Sequence, residues 1–139
     1  MTGQALYDLL TDHDIHGDKI FILDEEYSQW DKKFLLTEFG SNFERLKGSM
    51  VRNVYTTNLN DCDKFALLAH WYAQYLNAEF NKDEKGIAFG TFSYRQDNGG
   101  YHQINVIVAS DKVYFFEPQN STFPTLSQSE IESCVNLSI

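Results

Sequence analysis

Apolar positions follow a helical rhythm in the first third of this chain and in one long central run, and an alternating rhythm in much of the rest. Near the start, Ala5, Leu9 and Leu10, flanked by Tyr7, fit a helix that Thr2 can cap and that ends by His13. The segment from Thr11 to Asp18 is rich in potential metal ligands but reads as a solvated turn. Lys19 to Asp24 is a short β-branched run that predicts a strand, and Asp24, Glu25 and Glu26 mark its exit. From Ser28 to Leu46, Trp30, Phe34, Leu35, Phe39, Phe43 and Leu46 recur every three to four residues, with Gly40 as a break between two helical pieces and Gly48 as a stop.

Val51 to Asn60 is β-branched and polar. It leads into a stripe formed by Cys62, Phe65, Ala66, Ala69, Tyr72, Ala73 and Leu76, which predicts a helix with Cys62 in its first turn and three alanines permitting close approach to a sheet. After a charged connection from Asn81 to Lys85, Gly86 to Tyr94 predicts a strand with a bulge near Gly90. Arg95 to Gly100 predicts a turn. Tyr101 to Val108 and Lys112 to Glu117 predict a hairpin closed by Ser110 and Asp111. A short helix from Ser127 to Ser133 and a last edge strand from Cys134 to Ser138 complete the expectation.

Composition adds bounds to this pattern. With 139 residues, 42% apolar and 15% aromatic, the chain is expected to form one domain: a mainly helical part over about 1–50 and a catalytic-like core over about 51–139. A formal charge of -9 argues against nucleic acid and anionic membranes as partners. The first residues lack a basic start and an apolar core, and no long apolar run follows, so the expectation is a soluble, cytoplasmic protein. Two cysteines, Cys62 and Cys134, suit reduced thiols. Asn120 to Thr122 matches a glycosylation sequon but reads as a polar turn.

Three residue types now matter for chemistry. Cys62 at a helix tip, His102 on a strand and Glu117 at a strand end follow one another in the order that thiol catalysis uses. If Ala109 faces Lys112, then His102, Ile104, Glu117 and Gln119 share one face of the hairpin, and Glu117 can reach diagonally to His102. Each residue also has a structural reading: a buried inert thiol, a satisfied strand histidine, the polar end of a strand. Asp61 and Asp63 oppose ionisation of the thiol. A hard cation such as calcium, held by Asp63, Glu117 and Gln119, would compensate.

The Asp-Cys-Asp-x-Phe-Ala stretch at 61–66, the His-x-x-Asn at 102–105 and the Glu-Pro-Gln at 117–119 resemble the papain-like cysteine protease domain at the C-terminus of the fungal Marasmius agglutinin and its bacterial and phage relatives. The resemblance implies an α+β, papain-like or transglutaminase-like fold with the cysteine-bearing helix on a small antiparallel sheet. It implies Cys62 as nucleophile, His102 as base and Glu117 as orienting acid, with Asp63, Glu117 and Gln119 near a calcium site. Oxyanion donors would be the Cys62 amide and a side chain such as Asn58 or Asn60. The expected function is a peptidase or amidase with calcium as its candidate cofactor and a peptide or protein as substrate. Two alternatives stand beside it: an inactive papain-like binding or regulatory module, and an NlpC/P60-type cell-wall amidase, which also begins a helix with Asp-Cys.

Overall fold

The computed structural model describes residues 1–50, 61–80 and 84–139. Helix α1 (Gly3–Thr11) starts where the Thr2 hydroxyl accepts from the Ala5 amide at 3.2 Å, satisfying one of the free donors of the first turn. Leu6 and Leu10 are its buried positions. The expected strand over 19–24 shrinks to β1 (Ile20–Phe21), and a second short strand, β2 (Tyr27–Ser28), follows.

The aromatic run after it is helical throughout: α2 (Lys32–Phe34), a wider π-type turn over Leu35–Phe39, and α3 (Gly40–Gly48). Gly40 is therefore not a break, since its backbone is helical at φ -57 and ψ -45. Its missing side chain serves packing instead: a Cβ there would stand 3.3 Å from the Ser121 carbonyl oxygen.

Helix α4 (Cys62–Phe80) is the long central helix, and the β-branched, polar stretch 51–60 before it lies outside the described residues. Strands β3 (Gly86–Ile87), β4 (Phe89–Arg95), β5 (Tyr101–Ala109) and β6 (Lys112–Phe116) come next. Helix α5 (Gln128–Glu132) opens with a capping box between Ser127 and Glu130, and β7 (Asn136–Ser138) ends the chain.

The main sheet has the order β1-β7-β4-β5-β6, with β2 and β3 forming a separate parallel pair. This corrects the small antiparallel sheet expected from the sequence. The sheet is mixed, because β1 runs parallel to β7 while β4, β5, β6 and β7 pair antiparallel. It also corrects the position of the last strand: β7 lies between β1 and β4, with Leu137 fully buried. Hydrophobic alternation shows that a strand has a buried face, but edge or centre depends on which other segments arrive beside it.

Strand β4 carries no bulge at Gly90; its pairing with β5 is unbroken from Phe89–Ile107 to Arg95–Tyr101. A Cβ at Gly90 would lie 2.2 Å from the Ser138 carbonyl oxygen, so the glycine serves a close backbone approach. The β5–β6 hairpin has the expected register, Ala109 opposite Lys112, and both turn residues adopt positive φ, Ser110 at 47° and Asp111 at 56°.

Two cores cover the two faces of the sheet. On one, α1 contributes Leu6 and Leu10 against Ile104, Val106, Val108, Phe92 and Tyr94. On the other, Ala69, Ala73 and Leu76 of α4 join Trp30, Phe39 and Phe43 against Phe89, Ile107, Ala109 and Phe116. Among the described residues, no helix is long and apolar enough to cross a membrane.

Candidate functional site

The direction of α4 across the sheet decides where its cysteine falls. Near its C-terminal end, the Gln74 side chain accepts from the Ile87 amide at 3.3 Å, and the Asn77 side chain donates to the Lys85 carbonyl at 2.9 Å. One turn in from its N-terminus, the Ala66 carbonyl accepts from Asn105 on β5 at 2.9 Å. Helix α4 thus runs parallel to β5. Cys62, one turn before Ala66, lies toward the end of the sheet where β5 begins with Tyr101 and His102.

The end of β6 meets the start of β5 there. His102 Nε2 and Glu117 Oε2 are 2.5 Å apart, and both side chains are largely buried, 16% and 15% exposed. A carboxylate can only accept, so Nε2 carries the proton in this bond, and in a neutral imidazole the lone pair is then on Nδ1. Glu117 Oε1 accepts from the Gln119 amide at 3.0 Å. The backbone of Glu117 pairs with Thr122, closing the 117–122 turn.

His102 and Cys62 reach this end of the sheet on different elements, β5 and α4. Ile104, Val106 and Val108 of β5 face α1, whereas Ile107 and Ala109 face α4. By alternation His102 shares the α1 face, where its ring contacts Tyr94 at 5.9 Å. Cys62 is partly exposed at the tip of α4, and among the described residues its thiol makes no hydrogen bond. The structure therefore brings His102 and Glu117 into contact and places Cys62 toward the same sheet end, on a helix packed against the other face.

Charge beside the thiol is partly offset from within the chain. Lys64 Nζ lies 3.0 Å from Asp61 Oδ1 and 3.2 Å from Asp63 Oδ2. The hydrogen bond with Asp63 and then the Lys64 ammonium hold the Asp61 carboxyl below its usual range, while the two carboxylates raise Lys64. The sequence reading counted the two aspartates and overlooked the lysine between them. Of the expected calcium ligands, Asp63 is engaged by Lys64, and Glu117 by His102 and the Gln119 amide. No cluster of three or more His, Cys, Asp or Glu suited to a metal occurs among the described residues. Asn58 and Asn60, the expected oxyanion donors, lie outside the described residues.

Cys134 is a different thiol. It is buried, 5% exposed, and burial pushes its pKa up to about 11. Another buried group escaped the sequence reading altogether: Lys47, on the inner side of α3, is only 2% exposed. Its place at the end of an aromatic helical stripe, four residues after Phe43, was the available signal.

No family model and no curated protein matches the chain. Solved structures do match. One described as "PSL1a-E64 complex" has a TM-score of 0.78 at 20% identity, covering 100% of this chain and 51% of that one. A second, of Polyporus squamosus lectin bound to the human-type influenza-binding epitope Neu5Aca2-6Galb1-4GlcNAc, has a TM-score of 0.74 at 20% identity, covering 100% of this chain and 49% of that one. The chain thus spans about half the length of these structures, and at this identity the likeness is one of fold.

These findings correct the family, fold class and function expected from the sequence. The whole-chain likeness is to structures named for a lectin, and the fold is a mixed five-stranded sheet with helices on both faces. The papain-like assignment, with its peptidase, amidase and inactive-module readings, rested on three short motifs. Such motifs fix residue types at intervals but leave the global topology open.

Proposed function

We propose that the chain carries a thiol-centred covalent site, with Cys62 as nucleophile, His102 as proton acceptor and Glu117 as the group that orients the imidazole. The His102–Glu117 hydrogen bond carries this reading, because that bond fixes the tautomer whose Nδ1 can take a proton. With iodoacetamide as probe, Cys62 Sγ forms the bond to carbon, iodide leaves, and the thiol proton passes to His102 Nδ1. E64, the compound in one matched structure's description, is a second probe. A reduced Cys62 calls for a reducing, cytoplasm-like compartment.

Peptide mapping after timed alkylation tests the site, with Cys134 as internal control. Cys62 should react faster than Cys134 at neutral pH, and His102→Ala should slow it by about 10²-fold. A Cys62 that labels no faster than Cys134, or equally fast without His102, overturns the site. Calcium binding through Asp63, Glu117 and Gln119 is a separate proposal, tested by calorimetric titration; Lys64 already offsets part of the aspartate charge.

A second reading is glycan contact. Trp71 and Tyr75 stand 59% and 48% exposed on the outer face of α4, with rings 5.8 Å apart and within 15° of parallel, a surface on which a pyranose can stack. A glycan array including the sialylated epitope recorded for the matched lectin tests it; binding that survives a Trp71→Ala, Tyr75→Ala double variant would remove this surface from the reading.

A further inference from the structure

Lys47 presents the least expected chemistry in the fold. An ammonium removed from water is costly unless it is paired and hydrogen-bonded, and a hydrophobic side chain of similar size is often as good or better for stability. Here the ammonium lies over the rings of Phe43 and Phe65, with Nζ 5.6 Å and 5.9 Å from their centroids. At the tip, Nζ donates to the Gln119 carbonyl at 2.7 Å and pairs with Glu44 Oε2 at 2.8 Å. Glu44 Oε2 also accepts from the Ser121 hydroxyl at 2.6 Å, so α3 grips the 117–122 turn at two points. The Lys47 ammonium, and then the Ser121 hydroxyl, hold the Glu44 carboxyl below its usual range.

From Gln119 the contacts continue into the site. The residue whose carbonyl meets Lys47 donates its own amide to Glu117 Oε1, and Glu117 Oε2 holds His102 Nε2. Each link is 3.0 Å or shorter. Phe65, under the same ammonium, lies one turn beyond Cys62 on α4. Lys47 therefore touches both the turn that holds the carboxylate and the helix that carries the thiol.

We propose that Lys47 is a positioning residue: its buried ammonium fixes the 117–122 turn so that Glu117 orients His102, and docks that turn on the helix bearing Cys62. The inference rests on the thiol-site reading for its functional meaning, but the link from Lys47 to His102 can be observed independently.

The experiment compares wild type, Lys47→Met and Lys47→Gln by two readouts. The first is NMR of the His102 ring: its hydrogen-bonded Nε2 proton and ring-nitrogen shifts. The second is the rate of iodoacetamide alkylation at Cys62 as a function of pH. In Lys47→Met the hydrogen-bonded proton signal should disappear and Cys62 alkylation should slow roughly 10- to 100-fold. Lys47→Gln, whose amide can still donate to the Gln119 carbonyl, should recover part of both. If Lys47→Met does not fold, Lys47→Gln decides alone, with a weakened His102 signal expected.

A Lys47→Met protein that folds and keeps the wild-type His102 signal overturns the inference, whatever its melting temperature. If the His102 signal responds to Lys47 while wild-type Cys62 labels no faster than Cys134, the positioning link stands and the thiol reading falls. If wild-type Cys62 labels fast and neither readout moves in Lys47→Met, the thiol site stands and Lys47 is only a packing residue.

Discussion

The two faces of the main sheet are built differently. On the α1 face, leucines and branched side chains surround Phe92 and Phe115, and the same face ends in Tyr94, His102 and Glu117. On the α4 face, rings dominate: Phe39 lies within 6.2 Å of the ring centroids of Trp30, Phe43, Tyr72, Phe89 and Phe116. There α4 offers small Ala69 and Ala73, so the helix comes close to the strands while α3 fills the flank with aromatic volume. The carboxylate–imidazole pair starts from the α1 face, and its hydrogen-bonded chain runs through Gln119 to Lys47 on the α4 side. The thiol belongs to a helix on that side, with exposed ion pairs around its tip. The pair is thus ordered by burial and hydrogen bonds, whereas the thiol stands at a partly exposed helix tip.

Substitutions test what holds the two sides together. The largest effect should come from Phe39→Ala at the centre of the ring cluster. It should cost about 3–5 kcal/mol in urea denaturation, because the cavity is walled by rings that cannot collapse into it; a loss under about 1 kcal/mol would show that the α4 face is not held by ring packing. Next is Asn105→Ala. This fully buried amide donates to Ala66 on α4 at 2.9 Å and to Gly90 on β4 at 3.0 Å, and its removal should cost about 1–3 kcal/mol. Unchanged stability would mean that helix and sheet are joined by packing alone.

The third prediction concerns acid. Burial lowers the pKa of His70, on α4, below its ordinary 6.5, against the opposing influence of the Phe89 backbone and Asp24, and its Nδ1 is buried without a partner. The folded state therefore favours neutral His70. Its contribution to stability is present above pH 6.5 and is lost as pH falls from there through the folded value. Melting temperature should fall on acidification through this window, and less steeply in His70→Gln; identical slopes would remove His70 from the account. The smallest effect is expected at exposed Lys64. Lys64→Met should leave the melting temperature unchanged yet slow Cys62 alkylation, because Asp61 and Asp63 then face the thiol uncompensated. High salt should shrink the difference, and a salt-independent difference would argue against a charge effect.

Much of the local structure was legible in the residues. Thr2 and Ser127 cap helices because their hydroxyls reach amides that a helix leaves unpaired, and Ser110-Asp111 closes a two-residue turn that sets the β5–β6 register. From that register alone, His102 and Glu117 fall within reach of each other, as the structure finds them. The spacing of Phe65, Ala66, Ala69, Ala73 and Leu76 likewise determined α4 and its buried stripe, so Cys62 had to lie at a helix tip. These features depend on neighbours a few residues away or across one tight turn, where geometry leaves little choice.

What lay beyond that reach was decided by tertiary structure. Whether β7 sits at the edge or inside, whether Gly40 and Gly90 interrupt an element or admit a neighbouring carbonyl, and which sheet face α4 covers all depend on segments far away in sequence. The same holds for Lys47, which looks like an ordinary surface lysine until the 117–122 turn closes over it. The motifs at 61–66, 102–105 and 117–119 suggested a family that the whole-chain likeness does not support. A motif records residues at intervals along the chain, while burial, partner and face are properties of the assembled chain, set by contacts whose two halves lie tens of residues apart.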